Sequence, residues 1–149
     1  MATTYKPISA SDLDLVMAMM REFYAIDGYP LDERRSRQLF AEFIQDETLG
    51  KCWLILADGD VVGYAILTFI FSFEFGGKIA FVDELYLSDR ARGKGIGRET
   101  VSFIKKEAKL LDVKMLYLEV EHHNTLAQKL YLSGGFSEHK RKFMQLRID

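Results

Sequence analysis

The sequence predicts a mixed α/β domain with the element order β-α-α-β-β-β-α-β-α-β. Three observations carry this reading. Apolar runs fill the middle of the chain, two of them joined by an Asp-Gly pair. Amphipathic stretches with a period near 3.6 flank those runs. A glycine-rich turn at 92–97 stands where the third run gives way to a helix. A chain of 149 residues fills one hydrophobic core comfortably, so a single domain over 1–149 is expected.

A short strand over 5–8 leads to Ser11, read as an N-cap with Asp14 three residues on. The helix that follows to about Tyr24 turns Leu13, Val16, Met17 and Met20 to one side. After the Asp27-Gly28-Tyr29-Pro30 break, a second helix over 32–46 is expected to bury Leu39, Phe40, Phe43 and Ile44. Strands over 52–57 and 61–73 meet at Asp58-Gly59-Asp60, a strong hairpin signal. A third run over 78–87 feeds the glycine-rich turn. The helix over 95–111 then aligns Ile96, Thr100, Phe103, Ile104 and Leu111. A strand over 115–121, a short helix over 125–133, the Gly134-Gly135 break and a last strand over 141–148 complete the order.

Lys plus Arg total 20 against 22 Asp plus Glu, so no global field favours nucleic acid or an anionic membrane. The single cysteine, Cys52, cannot close an intrachain disulfide and sits in an apolar strand, where an inert thiol is expected. The first residues lack the basic and apolar regions of a signal peptide, and the apolar stretch 61–73 carries Gly63 and Thr68. A cytoplasmic protein with no membrane partner is expected. His122 and His123 adjoin in a predicted strand, pointing to opposite faces, with no ligand set at metal spacing around them; no metal is expected.

The most informative stretch is Asp89-Arg90-Ala91-Arg92-Gly93-Lys94-Gly95-Ile96-Gly97-Arg98. A helix start presents unpaired amides and a partial positive charge, so a turn aiming several amides at one point cradles a phosphate. Glycines allow close approach and positive φ there, and Arg92, Lys94 and Arg98 add cationic donors. The G-x-x-x-x-G-K-[ST] loop is excluded because Arg98 and Glu99 follow Gly97, and the spacing of Gly93, Gly95 and Gly97 does not fit G-x-G-x-x-G. The turn resembles the [QR]-x-x-G-x-[GA] motif of the GCN5-related N-acetyltransferase superfamily, with Arg92, Gly95 and Gly97 in the fixed positions. Asn124, Ala127, Leu130, Tyr131 and Gly135-Phe136 resemble the same family's second signature, and the element order agrees along nearly the whole chain. The departures are mild: Ala91 stands where an aromatic or histidine is frequent, and Asp89 where proline is.

The resemblance implies a mixed sheet with helices on both faces and acetyl-CoA as co-substrate, its acetyl group passing to a primary amine that attacks the thioester directly. By position, the backbone of Leu85 and Leu87 would pair with the pantetheine arm at a bulged, splayed strand. The turn residues Arg92, Gly93, Lys94, Gly95, Ile96, Gly97 and Arg98 would hold the diphosphate. Asn124 would contact the arm while capping the short helix, and Tyr131 would protonate the departing sulfur. Asp83 and Glu84 are acidic residues in an apolar strand, a costly placement outside a cleft. Glu84 is read as base or water relay and Asp83 as a contact for the acceptor ammonium; sequences similar to spermidine/spermine acetyltransferases carry such a pair before an aromatic. The acceptor site would draw on Tyr24, Asp27, Tyr29 and Glu74, an aromatic and acidic lining suited to a cationic amine, small-molecule or protein. Phe69, Phe71, Phe73 and Phe75 share one parity, and a homodimer interface or acceptor wall would use any exposed part. Two alternatives stand beside this reading: a CoA-binding sensor or structural module without turnover, and nucleic-acid binding through Arg90, Arg92, Lys94 and Arg98. The second is disfavoured because no aromatic residues interleave that cluster.

Overall fold

The computed structural model describes residues 2–149, in two compact units, the first running to Glu119 and the second from Val120 to Asp149. The first unit is built on a sheet in the order β1 (Thr3–Pro7), β2 (Gly50–Ala57), β3 (Asp60–Ser72), β4 (Gly77–Leu87) and β5 (Leu116–Tyr117). The first four strands are antiparallel neighbours, and β5 runs parallel to β4. Between β2 and β3 the hairpin turns on Asp58 (φ 50) and Gly59 (φ 85), the paired positive φ values that a two-residue hairpin loop requires.

Helices cover both faces of this sheet, which explains why β2 reads as an unbroken apolar run instead of alternating. On one face α1 (Leu13–Ile26) and α2 (Glu33–Gln45) press Val16, Met17, Met20 and Phe40 onto Cys52, Leu54, Tyr64, Ile66 and Tyr86. The opposite face meets α3 (Ile96–Leu110), whose Phe103 ring lies 3.9 Å from Tyr5 and 5.2 Å from Trp53 between centroids.

The start of α1 departs from expectation. The capping residue is Ser9: its amide and its hydroxyl both donate to Asp12 Oδ2 at 2.9 Å, and a 3-10 turn over Ala10–Asp12 precedes the helix. Lys6 fixes the same carboxylate at 2.6 Å, while Asp14, the expected partner of Ser11, pairs with Arg37 of α2 at 2.7 Å. Leu39 is a second departure. It is 55% exposed because Phe40, one residue further round the helix, takes the face toward the sheet.

The pairing of β3 with β4 sets up the site. Ile66 faces Glu84 and Leu67 faces Val82, so Asp83 is an extra residue without a cross-strand partner, a β-bulge. Close strand approach is enforced further along the pair, where Gly63 lies opposite Leu87: a Cβ on Gly63 would stand 2.1 Å from the Tyr86 carbonyl oxygen.

In the second unit, α4 (Thr125–Ser133) starts at Asn124, whose side chain accepts the Ala127 amide at 3.1 Å. The expected last strand over 141–148 does not form. Met144, Leu146 and Ile148 alternate as a strand requires, yet they are 83–89% exposed and, among the described residues, no ladder partner takes their backbone. The strand expected over 115–121 is likewise limited to the two residues that β4 pairs.

Leu54 is 1% exposed and Leu39 55% exposed. Leu54→Ala is expected to lower unfolding free energy by about 2–5 kcal/mol and Leu39→Ala by under about 1 kcal/mol, read from urea midpoints at constant slope.

Candidate active site

The turn after β4 leaves its amides open. Gly93 (φ 75) and Gly95 (φ 80, the N-cap of α3) hold left-handed conformations that only glycine adopts at little cost, and a Cβ at either would meet nothing within 4 Å. The helix ladder begins with the Glu99 amide on the Gly95 carbonyl at 3.2 Å. Among the described residues, the amides of 93–98 find no backbone acceptor. Ile96, 2% exposed, pins the first turn of α3 to the core. A diphosphate fits this arrangement: free N–H groups at a 15-residue helix's positive end, open space above two glycines, and exposed Lys94 and Arg98 beside them. Arg92 is braced by Asp89 at 2.7 Å, and its Nε donates to the Leu87 carbonyl at 3.2 Å. Arg90 turns elsewhere, onto the Val61 carbonyl at 2.9 Å.

Before that turn, β4 exposes part of its backbone. The Ser88 amide donates to the Val62 carbonyl at 2.8 Å, and in an antiparallel pair successive residues bond alternately to either side. Tyr86 and Glu84 therefore bond β3, while the amides and carbonyls of Leu85 and Leu87 point to the other edge. There β5 borders β4 only at Ala80 and Phe81. On that edge the Leu87 carbonyl is taken by Arg92, and the two amides and the Leu85 carbonyl face outward from β3.

The bulge decides where the acids go. Upstream of Asp83, Val82 lies opposite Leu67, whereas downstream Glu84 lies opposite Ile66 and turns to the face of α1. Its carboxylate accepts the Tyr24 hydroxyl on Oε2 at 2.6 Å and the Tyr64 hydroxyl on Oε1 at 2.7 Å. Burial pushes the Glu84 carboxyl above its ordinary range, and the two phenols oppose that shift. Asp83 stays exposed at the bulge, its carboxyl also raised by partial burial. On the same face the Tyr86 hydroxyl donates to Glu22 at 2.7 Å, burial and that carboxylate together pushing the phenol up to about 12. Cys52 shares the cluster, and burial, aided by the Glu84 charge, pushes its thiol up to about 12.

Of the residues expected to line the acceptor site, Tyr24 reaches Glu84. Asp27 and Tyr29 lie in the segment closing α1, and Glu74 lies in the turn between β3 and β4. Tyr131 lies on α4, edge-to-face with Phe136 at 5.7 Å, and burial pushes its hydroxyl up to about 12, so it is a protonated donor at neutral pH. His122 and His123 fall in a turn, not a strand. Among the described residues no group of three His, Cys, Asp or Glu is placed to hold a metal. Sequence reasoning passed over Tyr64 and the Glu22–Tyr86 pair. The available signal was a tyrosine inside the apolar run of β3: a buried phenol needs a polar partner.

A five-stranded mixed sheet, a bulged β4 and an amide-lined turn opening α3 define an α/β fold of the acetyltransferase type. Residues 16–136 match the acetyltransferase (GNAT) family, and the chain belongs to that family of acetyl-CoA-using N-acetyltransferases. It is 29% identical over 140 residues to the D-amino-acid N-acetyltransferase of Saccharomyces cerevisiae, covering 91% of this chain and 85% of that protein. A solved integron cassette protein from the mobile metagenome of Cole Harbour Salt Marsh superposes with a TM-score of 0.87 at 29% identity, covering 97% of this chain and 90% of that one. A predicted acetyltransferase of Clostridium acetobutylicum, solved with acetyl-CoA, superposes at 0.81 and 16% identity, covering 98% and 96%; it bears on the fold alone.

Saturating acetyl-CoA, at about a hundred times its Kd, is expected to raise the melting temperature by roughly 5–10 °C. Gly95→Glu, which fills the open space over the turn with an anionic side chain, is expected to fold and to lose that increment. A retained shift would show that the diphosphate sits elsewhere.

Proposed function

We propose that this chain acetylates a primary amine by direct attack on the thioester, with Glu84 as base and Tyr131 as acid. The observation that carries the proposal is the Glu84 carboxylate. It stands on the strand whose next residue, Leu85, turns its amide to the open edge, and its basicity is raised by burial. Acetyl-CoA supplies an activated acyl group and a thiolate leaving group. The turn over 92–98 holds its diphosphate, Leu85 and Leu87 align its arm, and a backbone amide of the splayed edge polarises the carbonyl. Glu84, directly or through one water, takes the proton that the acceptor ammonium must lose. Tyr131 gives its hydroxyl proton to the departing sulfur.

The acceptor is proposed to be a small cationic amine. Glu22, Asp83 and Glu84 put carboxylates around Tyr24 and Tyr86, whereas Arg21 of α1 is taken by Glu33 and Arg37 of α2 by Asp14. The yeast relative's D-amino acids are acceptors to test first beside linear polyamines; the acidic lining favours the amine that carries no carboxylate.

Thiol release from acetyl-CoA with a panel of amines tests the reading. Glu84→Gln and Tyr131→Phe are each expected to lower kcat by about 10²–10⁴-fold while keeping the acetyl-CoA thermal shift. Binding without thiol release for any amine would instead identify a CoA-binding module.

A further inference from the structure

Glu84 is held in an unusual way for a half-buried carboxylate. Both of its oxygens accept hydrogen bonds, one from Tyr24 on α1 and the other from Tyr64 on β3. The other ionisable groups acting with it are Asp83 on its own strand and the Cys52 thiol on β2. None of these is a cation. A lysine or arginine would keep the carboxylate ionised by ion pairing, but it would also weaken its basicity and cancel its pull on an incoming ammonium. A phenol donates a hydrogen bond and leaves the net charge in place.

The two phenols differ in setting. Tyr64 is 0% exposed and packs edge-on to Phe23 at 6.3 Å and tilted to Tyr86 at 5.9 Å, so its hydroxyl has one fixed direction. Tyr24 is half-buried on the rim that α1 presents. Burial and the Glu84 charge raise both phenols, so they stay protonated as donors through neutral pH.

We propose that Tyr64 is a positioning residue of the acetyl transfer, which together with Tyr24 clamps the Glu84 carboxylate in its ionised state and fixes its direction. The inference rests on Glu84 being the base. In the transfer, Glu84 gains the proton released by the acceptor ammonium and becomes neutral. Both tyrosines keep their own protons throughout.

The clamp is tested by titrating protein labelled with ¹³C at the glutamate carboxyls, with the Glu84 signal assigned by its loss in Glu84→Gln. Tyr64→Phe removes one donor to the ionised form and leaves the ring in the core. The Glu84 midpoint is expected to move up by about one unit or more, and the acid limb of the kcat profile to move with it. Tyr86→Phe, whose hydroxyl on the same face serves Glu22, is expected to leave the Glu84 midpoint where it is. An unmoved midpoint in Tyr64→Phe, or an equal shift in Tyr86→Phe, would overturn the clamp. Should Tyr64→Phe not fold, Tyr24→Phe at the rim gives the same reading, with an upward shift expected and an unmoved midpoint fatal. A Glu84→Gln enzyme with undiminished kcat would remove the base assignment itself, an outcome that the carboxyl titration keeps separate from failure of the clamp.

Discussion

One extra residue in β4 organises the site. Where Asp83 interrupts the pairing between Leu67 and Ile66, the parity of the strand reverses. Val82 and Ala80 are buried side chains of the upstream run, whereas Glu84 and Tyr86 occupy the face of α1. Without the bulge, Glu84 would be aimed at the opposite face, which α3 covers, and its two phenol partners would be out of reach. On its other edge β4 pairs with β5 only at Ala80 and Phe81, upstream of the bulge. A single inserted residue thus fixes the face on which the acid stands.

The second constraint is conformational. Residues 92–95 must reverse the chain direction between a buried strand and a helix whose first residue, Ile96, is locked in the core. Positive φ at Gly93 and Gly95 accomplishes the reversal and leaves the surface above the turn bare. Under the proposed function, a dianionic group is recognised there by main-chain dipoles fixed by the fold, which need no side-chain ordering on binding. Arg92, tied to Asp89 and the Leu87 carbonyl, links this turn mechanically to the strand edge.

Much of this was legible in the residues. Asp58-Gly59 announced the hairpin, the glycine spacing announced the turn, and Asn124 announced both the start of α4 and its own capping bond. Each of these is a local rule with a local cause. The failures involve choices that only tertiary structure makes. Ser9 and Ser11 are equally good caps by type; the difference lies in Lys6 and Arg37, which select the partners Asp12 and Asp14. The alternation of Met144, Leu146 and Ile148 is genuine, but pattern supplies no partner strand. Tyr64 stayed hidden because its role depends on a register that pairs β3 with a bulged neighbour twenty residues on.

The chain carries one cysteine, Cys52, enclosed at 5% exposure beneath α1 and α2, with a thiol held protonated well above neutral pH. Disulfide reagents that report free coenzyme A therefore meet a silent protein background in the native enzyme. A maleimide fluorophore can be directed to any engineered surface position without first replacing the natural sulfur. Slow modification of Cys52 itself becomes a clock for the opening of the core, readable in the same cuvette as turnover.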